Sequence, residues 1–380
     1  MFIVLITCCV LTAGYILLML AYRIGWARQT EFTLPANYKP LTFISVIIPA
    51  RDEACNVGAC IDAILSQKYP EALFEIIVVD DHSIDGTANI VKQYDRANIH
   101  CISLADHLDA TGQTNAYKKA ALAAGIAQAR GALIVTTDAD CTAPNAWLLH
   151  LAAIYEQQRP VMIVAPVIYS AETSIVQVFQ QIDFMSMQGI TAAAHQLQLG
   201  NMSNGANLAF SKAAYEQVGG YEGITHLASG DDYLLMMKMN KAFPGGISYL
   251  RSQHAIVATA PQPDWSSFLQ QRIRWASKSG KYNDTRLTAI LIVVYLFNFS
   301  FVVLAVAGFF DHIYLCLAAA MLALKIIIEY IFLIPVARFF HKESVLKYFP
   351  FLQPLHILYI VLAGFLGFFG SYKWKGRNVK

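Results

Sequence analysis

The chain has 380 residues, 56% hydrophobic and only 14% charged. Ordinary soluble domains carry roughly 25% charged residues, so part of this chain is expected to lie in lipid. A net charge of +2 argues against a broad nucleic-acid-binding surface, and the seven cysteines show neither a CxxC pair nor zinc spacing.

The first apolar run, Phe2 to Tyr22, is about 21 residues, or about 31 Å as a helix, which matches the hydrocarbon core of a bilayer. No basic leader precedes it and no small-x-small cleavage site follows, so residues 1–24 read as a transmembrane anchor rather than a cleaved signal. From 41 to 280 the composition becomes that of a soluble domain. The runs "FISVIIPA", "FEIIVVDD", "IHCISL", "ALIVTTDAD" and "VMIVAP" alternate with "NVGACIDAILSQ", "DGTANIVKQYD" and "KKAALAAGIAQAR". Near-continuous Val/Ile strands separated by helices predict an α/β fold with a parallel sheet covered on both faces.

Apolar character returns over 286–371 in three blocks, near 287–310, 313–336 and 351–370. They predict two or three further spans, the last following Pro350 and Pro354 and compatible with a re-entrant course. A basic tail, 372–380, closes the chain. Arg23 and Arg28, then Arg272, Arg274, Lys278 and Lys281, then Arg338, His341, Lys342 and Lys347 flank the spans. By the positive-inside rule they face the cytoplasm, which places the soluble domain inside a cell (plasma) membrane. Four true spans would put the tail lysines outside, against that rule.

In an open α/β sheet, ligands bind beyond the carboxyl ends of the strands. Three predicted strands end there in polar groups: Arg51, Asp52 and Glu53; Asp80, Asp81 and Asp85; Asp138 and Asp140. Carboxylates converging on one edge repel unless a cation or hydrogen-bond donors lie between them. Asp138 and Asp140, two apart in extended chain, point the same way and can share an oxygen-preferring divalent ion. The same "DAD" also suits a strand-to-loop turn capping the next helix. Neither GxxxxGK[ST] nor a GxGxxG after a strand is present, which disfavours P-loop and dinucleotide-binding enzymes.

Downstream, "SGDDYLL" places Asp231 and Asp232 at a helix start, which an N-cap also explains. "QRIRW" puts Gln271, Arg274 and Trp275 on one helical turn before the membrane, either as headgroup anchors or as a fork for a diphosphate with a ring for a sugar. Lys325 and Glu329, four apart inside a span, fit either helix packing or a transport role.

The ordered set "SVIIPARDE", "IIVVDDHSIDGT", "KKAAL", "TTDADC", "SGDDYLL" and "QRIRW", followed by membrane helices, resembles the inverting family 2 glycosyltransferases. The resemblance is greatest to the membrane-bound branch with chitin, hyaluronan and poly-N-acetylglucosamine synthases and ceramide glucosyltransferases. It implies a GT-A domain, a Rossmann-like nucleotide-diphospho-sugar transferase fold, plus transmembrane α-helices. By the same resemblance, Pro49, Ala50, Glu53, Asp80 and Asp81 line the nucleotide pocket and Lys118 approaches the diphosphate. Asp138 contacts donor and metal, and Asp140 holds Mn2+ or Mg2+. Asp232 is the general base, while Gln271, Arg274 and Trp275 close over the diphosphate and border the acceptor. Asn204, Gly205 and Asn207 fall where the family walls donor from acceptor.

The expected activity is therefore transfer of a sugar, with inversion, from a nucleotide-sugar donor, UDP-linked by expectation, to a lipid, lipid-linked or saccharide acceptor. Processive synthesis of an extracellular polysaccharide is the alternative within the class. A membrane nucleotide-binding scaffold is the alternative outside it. Membrane lipids are expected partners and nucleic acid is not.

Overall fold

The computed structural model describes residues 2–108, 116–200, 202–227, 229–277, 284–369, 372–374 and 377–379. Lys278, Lys281, Lys375 and Lys380 lie outside the described residues. The chain forms two compact units. The sheet unit comprises Thr30–Ser170 and Met202–Ala260, and the helical unit comprises Met1–Gln29, Ala171–Asn201 and Pro261–Lys380.

The sheet unit begins, after α1 (Phe2–Arg28) of the helical unit, with β1 (Ile44–Ala50), α2 (Val57–Leu65), β2 (Phe74–Asp80), α3 (Thr87–Lys92), β3 (Ile99–Ser103), α4 (Tyr117–Gln128) and β4 (Leu133–Thr136). It continues through β5 (Cys141–Thr142), α5 (Trp147–Gln158), β6 (Met162–Val164) and β7 (Val167–Tyr169). After α6 (Ile175–Leu197), the chain re-enters as β8 (Leu208–Ser211), α7 (Lys212–Gln217), α8 (Asp231–Ala242), β9 (Ile247–Tyr249) and β10 (Val257–Thr259).

Seven strands pair in the order β3-β2-β1-β4-β8-β6-β9. The first four are mutually parallel, and every residue of β4 is buried, as are all but one in each of β1 and β2. Burial on both faces is why these segments carry unbroken Val/Ile runs. The sheet is mixed rather than parallel throughout, because β8 runs antiparallel to both β4 and β6. Only four residues long and entered after the excursion through α6, "LAFS" gives too short a pattern to read as a strand. A smaller sheet joins β5, β10 and β7.

The helical unit holds α1, α6, α9 (Trp265–Ala276), α10 (Thr285–Ala307), α11 (Ile313–Phe340), α12 (Phe349–Phe369) and a hairpin of β11 (Tyr372–Trp374) and β12 (Arg377–Val379). Among the described residues, four helical stretches, Phe2–Arg28, Thr285–Ala307, Ile313–Phe340 and Glu343–Gly367, are long and apolar enough to cross a membrane. The last block is a continuous helix of span length with Pro354 inside it. Close approach of α1 to α6 requires a glycine: a Cβ on Gly25 would lie 2.6 Å from the Ala193 carbonyl oxygen.

Lys325 and Glu329 pair at 2.5 Å on α11. Gln353 of α12 bridges both at 2.6 Å, and the Tyr15 hydroxyl of α1 donates to Glu329. Three helices are thereby tied through one neutralised buried pair, an arrangement that suits the packing role.

In α4, Gly125 faces the sheet, and a Cβ there would meet Ile47 Cγ2 at 2.6 Å and Val79 Cγ2 at 3.0 Å. Both neighbours are core side chains of central strands. Gly125→Val is expected to cost about 1–3 kcal/mol by overpacking, read as a lower thermal midpoint of the detergent-solubilised protein; an unchanged midpoint would show that the sheet yields freely.

Candidate active site

Two loops at the carboxyl ends of β1 and β2 are cross-linked by their own backbones. Asp52 N–H donates to Ser83 Oγ at 2.9 Å, Ile84 N–H to Asp52 Oδ1 at 2.9 Å, Glu53 N–H to Thr87 Oγ1 at 2.8 Å, and Ala54 N–H to Asp85 Oδ2 at 2.9 Å. Asp52 and His82 adopt the left-handed conformation, with φ of 51° and 57°, and each turns the chain sharply at a strand end. Asp81 is buried, 3.7 Å from Arg51 Nη1 and 2.9 Å from His82 Nδ1. Asp80 keeps a buried Oδ1 without a hydrogen-bond partner among the described residues. A buried carboxylate oxygen in that state fits a ligand hydroxyl or N–H.

Beyond β4, Asp138 and Asp140 lie with Cys141 so that one donor atom from each falls within 4.8 Å of the others. Burial first, then the carboxylates of Asp138 and Asp140, push the Cys141 thiol well above its usual range, so it stays protonated. Two carboxylates without a thiolate form an oxygen donor set that suits Mn2+ or Mg2+. The Asp140 carboxyl is pushed up to about 6, first by desolvation and then by Asp138 and Glu53. Such crowding of like charge is relieved by a cation.

Part of that cation is supplied by the chain itself. Lys118, near the start of α4, places Nζ 2.7 Å from Asp138 Oδ1 and 3.5 Å from Asp231 Oδ2. Burial opposes its charge, but Asp138, Asp231 and Asp232 outweigh it and hold the ammonium above its ordinary range. Asp231 is buried at the start of α8, while Asp232 is half-buried and accepts from the N–H groups of Gly205, at 3.2 Å, and Tyr233, at 2.7 Å. Gly205 admits this approach: a Cβ there would lie 3.2 Å from Asp231 Oδ2 and 3.5 Å from Lys118 Nζ.

Of the predicted residues, the sheet unit contains Pro49, Ala50, Glu53, Asp80, Asp81, Lys118, Asp138, Asp140 and Asp232. Asn207 differs from its expected place in a donor–acceptor wall. It is fully buried, donating to the carbonyls of Pro166 and Ala255 at 2.7 Å each and accepting from Trp147 Nε1 at 2.9 Å, so its side chain is a brace between segments. Lys119, unnoticed in the sequence, is wholly buried and donates to the carbonyls of Leu227 and Ser229, fixing the loop that leads to Asp231. Nothing in "KK" distinguishes it from its solvated or catalytic neighbour.

Gln271, Arg274 and Trp275 lie half-buried on α9 of the helical unit. Between them Arg272, counted from sequence among the basic residues flanking the spans, is buried and ion-paired at 2.8 Å to Asp183 of α6. Its guanidinium carbon stands 4.2 Å from the centre of the Trp275 ring system and 4.9 Å from that of Phe268. Although burial opposes ionisation of Asp183, Arg272, His356 and Tyr359 hold its carboxyl below the ordinary range. The signal for this pair was an aspartate within the largely apolar α6.

A mixed α/β sheet with paired acidic strand ends, a lysine among them, together with four candidate membrane spans among the described residues, is the arrangement of a nucleotide-sugar transferase with a membrane-protein character. Sequence comparison agrees: residues 45–219 match the model of "Glycosyl transferase family 2" and residues 133–365 that of "Glycosyl transferase family group 2". The chain belongs to the family 2 glycosyltransferases and is a glycosyltransferase. It is 29% identical over 245 residues to glycosyltransferase AglE of Haloferax volcanii, a match covering 62% of this chain and 72% of that protein. It is 24% identical over 142 residues to a beta-monoglucosyldiacylglycerol synthase of Nostoc, covering 35% of this chain and 29% of that one. In fold it is similar to mannosyltransferase PcManGT from Pyrobaculum calidifontis, solved in complex with GDP-Man and Mn2+, at a TM-score of 0.58 and 18% identity over 95% of this chain and 97% of the other.

Because the raised pKa keeps Asp140 protonated below about 6, a cation must displace that proton at lower pH. Mn2+ affinity of the purified protein is expected to climb by up to about tenfold per pH unit until about pH 6 and to level off above it. Calorimetric titration in buffers of differing ionisation heat checks both the affinity and the proton release. A flat affinity across about pH 5 to 7 would remove Asp140 from the binding set.

Proposed function

We propose that this glycosyltransferase moves a sugar, with inversion, from a nucleotide-sugar donor to a lipid or lipid-linked acceptor at the cytoplasmic face of the cell membrane. A UDP-linked sugar is the first donor to test, with GDP-mannose beside it. The observation that carries the reading is the joint placement of Lys118, Asp138, Asp231 and Asp232, in which one ammonium is shared among the carboxylates and Asp232 remains half-exposed. Four span-length helices and the similarity to a lipid glycosyltransferase favour a lipid acceptor over a long polymer.

Asp232 is assigned the base. Its carboxylate takes the proton of the acceptor hydroxyl as that oxygen bonds to the anomeric carbon, and the bond from that carbon to the diphosphate breaks on the opposite side. Single displacement inverts the centre and releases a nucleoside diphosphate. Asp231, buried and neighboured by Lys118, is the weaker candidate because its charge is already compensated. Asp138 and Asp140 would hold Mn2+ or Mg2+, which when bound supplies positive charge to the departing diphosphate. Lys118 adds a fixed positive charge to the same group. Asp80 and Asp81, with Pro49, Ala50 and Glu53, are assigned to the nucleoside, the buried Asp80 Oδ1 being the acceptor that most needs a donor. Gln271, Arg274 and Trp275 are assigned to diphosphate and acceptor by resemblance alone.

The test is nucleotide release from detergent-solubilised protein with Mn2+ across a panel of nucleotide sugars, with diacylglycerol or prenyl phosphate as acceptor. Asp232→Asn is expected to lower transfer by about 100- to 10,000-fold, the contribution of a positioned base, with nucleotide binding retained. Asp140→Ala is expected to abolish the Mn2+-dependent component. Equal loss of nucleotide binding in Asp232→Asn would contradict the base assignment.

A further inference from the structure

A partly open cavity of about 190 Å3 lies wholly within the helical unit, bordered by α1, α6, α10, α11 and α12. By the same measure one water needs roughly 10–15 Å3, so the space far exceeds a bound solvent molecule. Its wall is mainly aliphatic and aromatic, including Leu18, Met19, Ile182 and Phe332. Two acidic side chains reach it, and each is already neutralised: Asp183 by Arg272 at 2.8 Å, and Glu329 by Lys325 at 2.5 Å. The wall thus presents no uncompensated charge from these groups to an ionic ligand. The polar groups in the wall, among them Tyr15, Gln353 and His356, leave most of the exposed lining apolar, which suits a hydrocarbon segment.

The surroundings name the apolar molecule. Four of the five bordering helices belong to the span-length stretches, whose apolar segments are only 22–33% buried, leaving outer faces suited to hydrocarbon. Asp183 in the cavity wall also holds Arg272 of α9, and Arg272 stacks on Trp275, one of the residues assigned above to the acceptor by resemblance. A chain seated in the cavity would lie against the residue that anchors α9.

We propose that this cavity receives one hydrocarbon chain of the lipid acceptor. The inference rests on the reading above that the acceptor is a lipid. It extends that reading with a chain-binding site separate from the carboxylates of the sheet unit. Chain length, not headgroup charge, then sets affinity at this site, because each methylene buried from water contributes about 0.8 kcal/mol.

Photolabelling of the full-length protein tests it without requiring sugar transfer. Two probes carrying a diazirine in the hydrocarbon chain, a diacylglycerol and a prenyl phosphate, are irradiated with the protein in detergent and the labelled peptides mapped. Labelling of peptides lining the cavity by either probe, suppressed by excess unlabelled lipid, is the expected result, and the probe that labels identifies the lipid source. Met187→Trp and Ile190→Trp fill the cavity from half-buried positions of α6. Each is expected to lower that labelling about tenfold, the loss of roughly two buried methylenes. Leu17→Trp, on the 67% exposed face of α1, is expected to leave it unchanged. Label spread over the outer faces of the spans, indifferent to competitor and to both filling variants, would overturn the proposal. Cavity labelling that persists while no donor supports transfer would uphold the site and reject the transfer reading instead.

Discussion

Carboxylates crowd the ends of the central strands, and a single ammonium holds that crowd together. Lys118 stands between Asp138 and Asp231, with Asp232 also acting on it, at a place where parallel strands deliver their carboxyl ends. Without it, the ionised groups would repel across a short distance and the loop to α8 would have little reason to lie beside the β4 loop. The amount of positive charge is also incomplete, since one ammonium does not balance four carboxylates. Asp140, pushed up to about 6 first by desolvation and then by Asp138 and Glu53, carries part of that imbalance. Stability and the demand for a cationic ligand therefore originate in the same charge imbalance.

Supports of two kinds hold this arrangement. Backbone N–H groups beyond β1 are satisfied by the side chains of Ser83, Asp85 and Thr87 beyond β2, which ties the two loops together and leaves Asp80 Oδ1 unused. Behind the α8 turn, Lys119 grips two carbonyls, so adjacent lysines of one helix perform opposite duties, one facing the acidic group and one locked beneath it. In the helical unit the same rule recurs in apolar surroundings. Among the described residues, buried charges there stand in pairs, such as Lys325 with Glu329 and Arg272 with Asp183, because an isolated ion would be too costly.

Much of the sheet unit was legible because its strands are buried on both faces and so carry runs of Val and Ile that end abruptly in acidic residues. The acidic strand ends were legible for the same reason: polar groups stand out against such runs. The antiparallel β8 was not, since four residues hold less than one full alternation pattern and the strand's partners are far away in sequence. The burial of Arg272 escaped because an arginine beside an apolar stretch has the composition of a headgroup anchor. Only the partner, Asp183, some ninety positions earlier, changes its meaning. Asn207 misled in the opposite sense, its polar side chain serving three internal hydrogen bonds rather than a ligand.

The excursion of the chain between Ser170 and Met202 has a practical meaning for anyone handling this enzyme. Residues 171–201 leave the sheet unit, contribute α6 to the helical unit and return, so the transferase sheet is not a continuous stretch of polypeptide. A fragment cut out as 41–280 would carry α6 and α9 stripped of α1, α11 and α12, with their apolar sides turned to water, and Asp183 would keep Arg272 but lose His356 and Tyr359. Such a fragment would aggregate for reasons unrelated to the soundness of its sheet. Isolating the sheet unit requires excising the inserted helix and rejoining the flanks.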